Sequence, residues 1–244
     1  MIVPNEREVN PMEKIDHRKK YILMLDTETA NTLVVEENKL DMSNVLFYDF
    51  GFAVIDKKGN VYETASFVNS DIFIHERGLM QSAYYAHKIP LYVEGLRNGS
   101  RKMANTYEIK NAVYNIIQKY NIKVVCAHNS RFDLTACNNT QRWTTKSKYR
   151  YFFPYGIEIW DTMKMAQDTI CKQTLYKEFC IANGYLTSSG QVRKTAEILY
   201  RYISQDLTFD ESHTGLEDVM IEKEILARCF RQHKKMRKKL FEKI

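Results

Sequence analysis

No apolar run in the 244 residues approaches the roughly 18 consecutive positions that a membrane-spanning helix needs. Residues 1–20 are charged and lack the apolar core of a signal peptide. A soluble, cytoplasmic chain with no membrane partner is therefore expected, with residues 1–20 as a loosely held leader. Cysteine is poorly arranged for cross-linking. Cys126, Cys137, Cys171, Cys180 and Cys229 make an odd count with no C-x-x-C pair, so neither a disulfide framework nor a zinc knuckle is encoded and reduced, buried thiols are the default. Internal repeats and low-complexity segments are absent. At 44% hydrophobic content the chain is most simply one domain with a proper core, enlarged by insertions.

A net charge of +6 suggests a nucleic-acid partner until it is located. Residues 231–244 carry Arg231, Lys234, Lys235, Arg237, Lys238, Lys239 and Lys243 against Glu242 alone, so the body is neutral and the tail holds the whole excess. That tail reads either as a phosphate-binding arm, which would add to the salt dependence of binding, or as a solvated helix end whose cations suit the negative pole of the helix dipole.

The stretch Tyr21-Ile22-Leu23-Met24-Leu25-Asp26-Thr27-Glu28-Thr29 organises the rest. A continuous apolar run of this length reads as a strand buried on both faces. Its C-terminal end delivers Asp26 and Glu28 to one side, with Thr27 turned aside. Two carboxylates held close repel unless a cation lies between them, and a hard divalent ion such as Mg2+ is the natural partner. The bland alternative is a polar strand end entering a turn.

Residues 30–44 read as a loop. Residues 45–56 and 61–68, separated by Lys57-Lys58-Gly59-Asn60, form a hairpin that completes an antiparallel meander. Residues 69–104 are expected to be short helices and loops over one edge. Asn105 and Glu108 have capping-box spacing before a helix that Asn121 stops. Residues 123–127 are a short buried strand, and the strand, crossover helix and strand together imply a parallel addition to the sheet. Ser130 is a candidate cap for the next helix, with Asp133 in its first turn. Residues 157–160 look like a last strand, with Asp161 as a helix cap, and 191–203 form an amphipathic helix. Near the end, Thr214 and Glu217 again have capping-box spacing. His213 then precedes the cap and Asp218 falls four residues after it, which brings an imidazole and a carboxylate together at a helix start.

Asp26-Thr27-Glu28, then Asp133 after His128-Asn129, then His213 with Asp218 five residues later, resemble in order and placement the DEDDh branch of the DnaQ-like 3′→5′ exonucleases. The resemblance covers roughly residues 20–230. It implies an α/β, ribonuclease H-like fold: a mixed five-stranded sheet, antiparallel meander plus parallel strands, flanked by helices. The corresponding organisation is a leader (1–20), an exonuclease domain (21–230) with an insertion at about 69–104, and a basic tail (231–244). It also implies two ions, Mg2+ or Mn2+, with Asp26, Glu28 and Asp218 holding one, Asp26 bridging to a second near Asp133, and His213 as general base. Such an enzyme releases nucleoside 5′-monophosphates from single-stranded 3′ ends, DNA favoured. The alternatives are an exoribonuclease that trims RNA, a non-catalytic nucleic-acid- or polymerase-binding module of the same fold, or an editing subunit for a separate polymerase. In the family the pair matching His128-Asn129 mostly ties strand to helix, and Asn129 is a weaker candidate for substrate contact. Relatives often continue the first motif with Thr-Thr-Gly, and loop amides there contact the terminal nucleotide, which makes Thr29 a candidate substrate contact, although here Ala30-Asn31 follow it. The stretch 142–155 interleaves cations with aromatics, so Lys148 and Arg150 are candidate phosphate contacts and Tyr149 a candidate base-stacking ring. Four acids with no dedicated cation beside them should repel one another in the metal-free protein.

Overall fold

The apolar run that leads into Asp26 is the central strand. In the computed structural model, which describes residues 15–31, 33–35 and 39–241, β1 (Ile22–Ala30) lies between β4 (Leu46–Ile55) and β7 (Val124–Ala127). Ile22 to Leu25 are at most 2% exposed, as expected of a strand covered on both faces. β4 runs antiparallel to β1, and β5 (Val61–Asn69) antiparallel to β4. β7 and then β8 (Glu158–Asp161) add in parallel on the other side. The expected meander with parallel additions is therefore present, but the sheet has six strands, not five. The sixth, β6 (Lys102–Ala104), pairs parallel to β5 at the edge, and three residues are too few to carry a periodicity. A second, two-stranded sheet of β2 (Leu33–Val35) and β3 (Lys39–Asp41) occupies part of the stretch read as a loop.

Alternation along the strands divides the core. Ile22, Met24, Ala53 and Ile55 face α6 (Thr162–Asp168), α7 (Thr174–Ala182), α8 (Ala196–Ser204) and α9 (Gly215–Arg231). Leu23, Leu25, Phe50, Phe52 and Val54 face α4 (Thr106–Lys119) and α5 (Arg131–Thr145). Each such buried side chain contributes about 1.5–3 kcal/mol. The 69–104 segment holds α1 (Ser70–Phe73), α2 (Arg77–Ser82) and α3 (Ile89–Asn98), which cover Leu46, Tyr48 and Val68 with Ile72, Met80 and Tyr92.

Asn105 and Glu108 form the reciprocal capping box (2.9 and 2.8 Å), and Asn121 takes the left-handed conformation that ends α4. Asp161 caps α6 through the amide of Met163 (2.9 Å). Three local readings are corrected. Ser130 precedes α5 but makes no capping bond, because its backbone is already helical and its hydroxyl is buried without a partner among the described residues. The helix expected over 191–203 begins at Ala196; a turn at Gly190 (φ 75°) folds residues 191–193 back against 185–187 instead. The basic tail does not extend α9. It lies against the open edge of β8, where Leu240 donates to Ile159 (2.9 Å) and Asp161 to Lys238 (2.8 Å), covering backbone groups that an edge strand leaves bare. Arg237 pairs with Asp168 (2.8 Å) and Lys239 with Glu158 (2.9 Å), so part of the tail's charge is neutralised by the body.

Candidate active site

The parity that splits the core also sets the carboxylates. Asp26 and Glu28 continue the face of Ile22 and Met24, so they meet α9, while Thr27 points to the α5 side. There its amide (3.1 Å) and hydroxyl (2.9 Å) both donate to Asp133 Oδ1. The residue between the two acids thus seats the third.

The fourth acid arrives on the first turn of α9. Asp218 accepts from the amide of Thr214 (3.1 Å) and the hydroxyl of Ser212 (3.0 Å). Thr214 is the N-cap, but its hydroxyl bonds the Glu217 carboxylate (2.9 Å) rather than a backbone amide, so the capping box is replaced by side-chain pairing. His213 sits in the left-handed region (φ 50°) with its ring stacked on Tyr85 at 4.8 Å and 21°. Its Nδ1 is 3.9 Å from Glu211. A network that runs from buried Asp49 to the surface fixes the helix start: Asp49 accepts from the amide of Gly215 (2.8 Å) and the hydroxyl of Tyr92 (2.9 Å), and Arg101 grips exposed Glu217 with two bonds (2.8 and 2.9 Å).

Asp26, Glu28, Asn129, Asp133, His213 and Asp218 therefore line one cleft of about 310 Å³. Thr29 is buried at the end of β1 and does not line it. Lys148, Tyr149 and Arg150 are not brought to the cleft. They follow the far end of α5, whose 15 residues span about 22 Å at 1.5 Å per residue. Tyr149 and Arg150 line a separate groove that shares no lining residue with the cleft. The first part of the 142–155 stretch belongs to α5, which runs to Thr145, and Phe152 and Phe153 join the core.

Sequence reading missed four lining or rim residues. Glu222 lies one turn beyond Asp218 on the same helix face, a spacing visible in the sequence, and accepts the amide of His128 (3.2 Å). Glu211 and Tyr85 complete the wall. Lys88, from the segment without a periodic signal, corrects the expectation of a site without a cation. Its ammonium donates to the carbonyls of Ser212 and His213 and lies 4.4 Å over the Tyr85 ring.

One cation does not balance this many acids. Burial, then the charges of Asp133, Glu222, Glu28 and Asp218, holds the Asp26 carboxyl well above its ordinary range. Burial and Asp218 do the same to Glu28. Burial pushes Asp133 and Asp218 up to about 7 and Glu211 to about 8, and burial followed by Lys88 lowers His213. Acids raised in the fold stabilise it fully below their ordinary values near 4 and lose that contribution as pH rises through 7 to 8. The melting temperature of the protein in EDTA is accordingly expected to fall by about 5 °C or more between pH 5 and pH 8, at roughly 2–4 °C per kcal/mol for a chain of this size. Adding Mn2+ should restore most of the loss at pH 8 and do little at pH 5; a flat profile in EDTA would contradict this account.

The donor set fits a hard divalent cation. Ligand atoms of Glu28, His213 and Asp218 lie within 4.8 Å of one another. Asp26 Oδ2 is buried without a hydrogen-bond partner among the described residues, an expensive state for a carboxylate unless an ion satisfies it.

No family model and no curated protein matches this sequence. Among solved structures, the nuclease domain of 3′hExo, a DEDDh family member bound to rAMP, superposes with a TM-score of 0.50 at 14% identity, over 92% of this chain and 100% of that one. E. coli exonuclease I in complex with a dT13 oligonucleotide gives a TM-score of 0.50 at 13% identity, over 88% of this chain and 42% of that one. The chain thus spans less than half of exonuclease I. No helix among the described residues is long and apolar enough to cross a membrane. The likeness is one of fold, and the fold of this chain is the ribonuclease H-like α/β fold of the DEDDh exonuclease domains.

Proposed function

We propose that the chain is a metal-dependent 3′→5′ exonuclease that hydrolyses phosphodiester bonds at the 3′ end of single-stranded nucleic acid and releases nucleoside 5′-monophosphates. One observation carries the reading: Asp26, Glu28, Asp133, His213 and Asp218, from separate segments, line a single cleft. A merely structural site has no use for so many mutually repelling groups. Support for the substrate class comes from the similar folds, one bound to rAMP and one to dT13.

Asp26, Glu28, Asp133 and Asp218 would hold two divalent ions, which supply positive charge to the attacking and leaving oxygens of an in-line displacement at phosphorus. His213 takes the proton from the attacking water. Its lowered pKa keeps the imidazole neutral, and so able to accept, at neutral pH. With Nδ1 turned toward Glu211, Nε2 is the nitrogen left for that proton. The stack on Tyr85 and the grip of Lys88 on the 212–213 carbonyls hold the ring in place, so little reorganisation is needed at the moment of reaction.

The test is digestion of 3′-labelled and 5′-labelled single-stranded DNA and RNA of one sequence, with Mg2+, Mn2+ or EDTA. Mononucleotides should leave from the 3′ end only when metal is present, and the faster polymer assigns the sugar. Cleavage that survives EDTA, or none on any substrate, would overturn the proposal.

A further inference from the structure

We infer that a basic groove beside the cleft is the track of the single strand upstream of its terminal nucleotide; this rests on the exonuclease reading of the cleft. The groove, about 960 Å³, runs between α6, α7 and the folded-back segment 186–195. Its lining includes Lys172, Lys177, Arg193 and Lys194 and no acidic residue. Lys172 pairs with Asp168 (3.3 Å) and Lys194 bonds Gln167 (3.1 Å), whereas Lys177 and Arg193 have no carboxylate partner among the described residues. The same lining holds Met163, Ile181, Leu186 and Val192. Apolar surface edged by unneutralised positive charge suits a polymer that alternates phosphates with flat, weakly polar bases.

Two observations tie this groove, rather than another, to the site. Met163 and Thr195 line both the groove and the cleft, so a strand leaves one directly into the other. The groove wall is also anchored to the catalytic strand end. Half-buried His128 donates from Nε2 to the carbonyl of Lys194 (2.8 Å), while Nδ1 meets the Thr162 hydroxyl at the start of α6 (2.9 Å). His128 immediately follows β7 and lines the cleft beside Asn129, so the groove wall is bonded to a residue of the cleft. The groove at Tyr149 and Arg150 has no such continuity.

The test uses the full chain carrying Asp26→Asn, with fluorescein-labelled single strands of about 4 and about 12 nucleotides, followed by anisotropy across a salt series. Lys177→Glu with Arg193→Glu should weaken the longer strand about tenfold or more and remove most of its advantage over the shorter one. The slope of log Kd against log salt should drop by about 1.4, at roughly 0.7 per lost contact on a single strand. The milder pair Lys177→Gln with Arg193→Gln should move each quantity the same way by less, and serves if the charge reversal disturbs folding. Unaltered affinity and slope in both pairs would overturn the track, as would photocrosslinks from the third nucleotide that fall on 149–155 instead of 172–195. If the parent chain cleaves nothing while these pairs still lose the longer strand, the track stands and the exonuclease reading falls.

Discussion

Asp26→Asn is expected to reduce 3′-end hydrolysis by more than about 100-fold, the upper end of what losing an outer-shell partner of a metal ligand costs, without lowering the stability of the metal-free protein. The two effects have one cause. Asp26 stands where α9, α5 and β1 converge, and its charge is opposed by burial and by Asp133, Glu222, Glu28 and Asp218. An amide keeps the shape and removes the repulsion, so the melting temperature in EDTA should stay level or rise. The same amide cannot supply the negative charge that a divalent cation held at this position would require. Metal should therefore raise the melting temperature of the parent and not of the variant; at a metal concentration 100 times Kd, binding to the fold contributes about 2.7 kcal/mol. A clear loss of stability in EDTA, or hydrolysis within tenfold of the parent, would count against the site as described.

What was legible in the sequence follows from what kind of signal each feature leaves. β1 and β4 are long, mainly apolar runs and β5 a strand-prone stretch after a turn, and they stand where they were expected. β6 has three residues and β2 and β3 three each, below the length at which alternation can be told from chance. The helix read from 191 starts at Ala196 because tertiary bonds to Tyr185 and His128 claim the preceding backbone. Asp133, His213 and Asp218 could be placed because each lies at a helix start that the local pattern reveals; Asp26 and Glu28 stood out as acids following the apolar run, although β1 continues past them to Ala30 rather than ending there. Lys88 and Tyr85 could not, since they reach the cleft from a segment whose path depends on packing under α1–α3. Two traces did stand in the sequence: Asp49 and Gly51 interrupt an otherwise apolar strand. A buried acid there implies a donor across the fold, and a glycine inside a strand implies a close backbone approach.

That glycine is the basis of the largest stability effect expected here. Gly51 pairs with Asp26 across the sheet, and a Cβ on it would lie 2.1 Å from the Leu216 nitrogen and 2.2 Å from the Gly215 carbonyl carbon. Both are backbone atoms and cannot rotate away. Gly215 meets the strands from the other side, where a Cβ would fall 2.7 Å from the Gly51 nitrogen and 3.1 Å from the Asp26 carbonyl oxygen. The first turn of α9 thus rests directly on β4 and β1, and the Asp49 bond to the Gly215 amide holds it there. Gly51→Ala must lift that turn, at a cost of about 3 kcal/mol or more, the upper range for overpacking. At 2–4 °C per kcal/mol the melting temperature should fall by roughly 6–12 °C. Activity should fall further than stability accounts for, since Asp218 and His213 ride on the displaced turn and a shift of about 1 Å can cost about 100-fold. Hydrolysis measured well below the lowered transition separates the two losses. The matched control is Gly78→Ala in α2, where a Cβ meets nothing within 4 Å and the change should stay within about 0.5 kcal/mol. If Gly51→Ala behaves like that control in both melting and hydrolysis, the glycine contact does not set the distance between α9 and the carboxylates of β1.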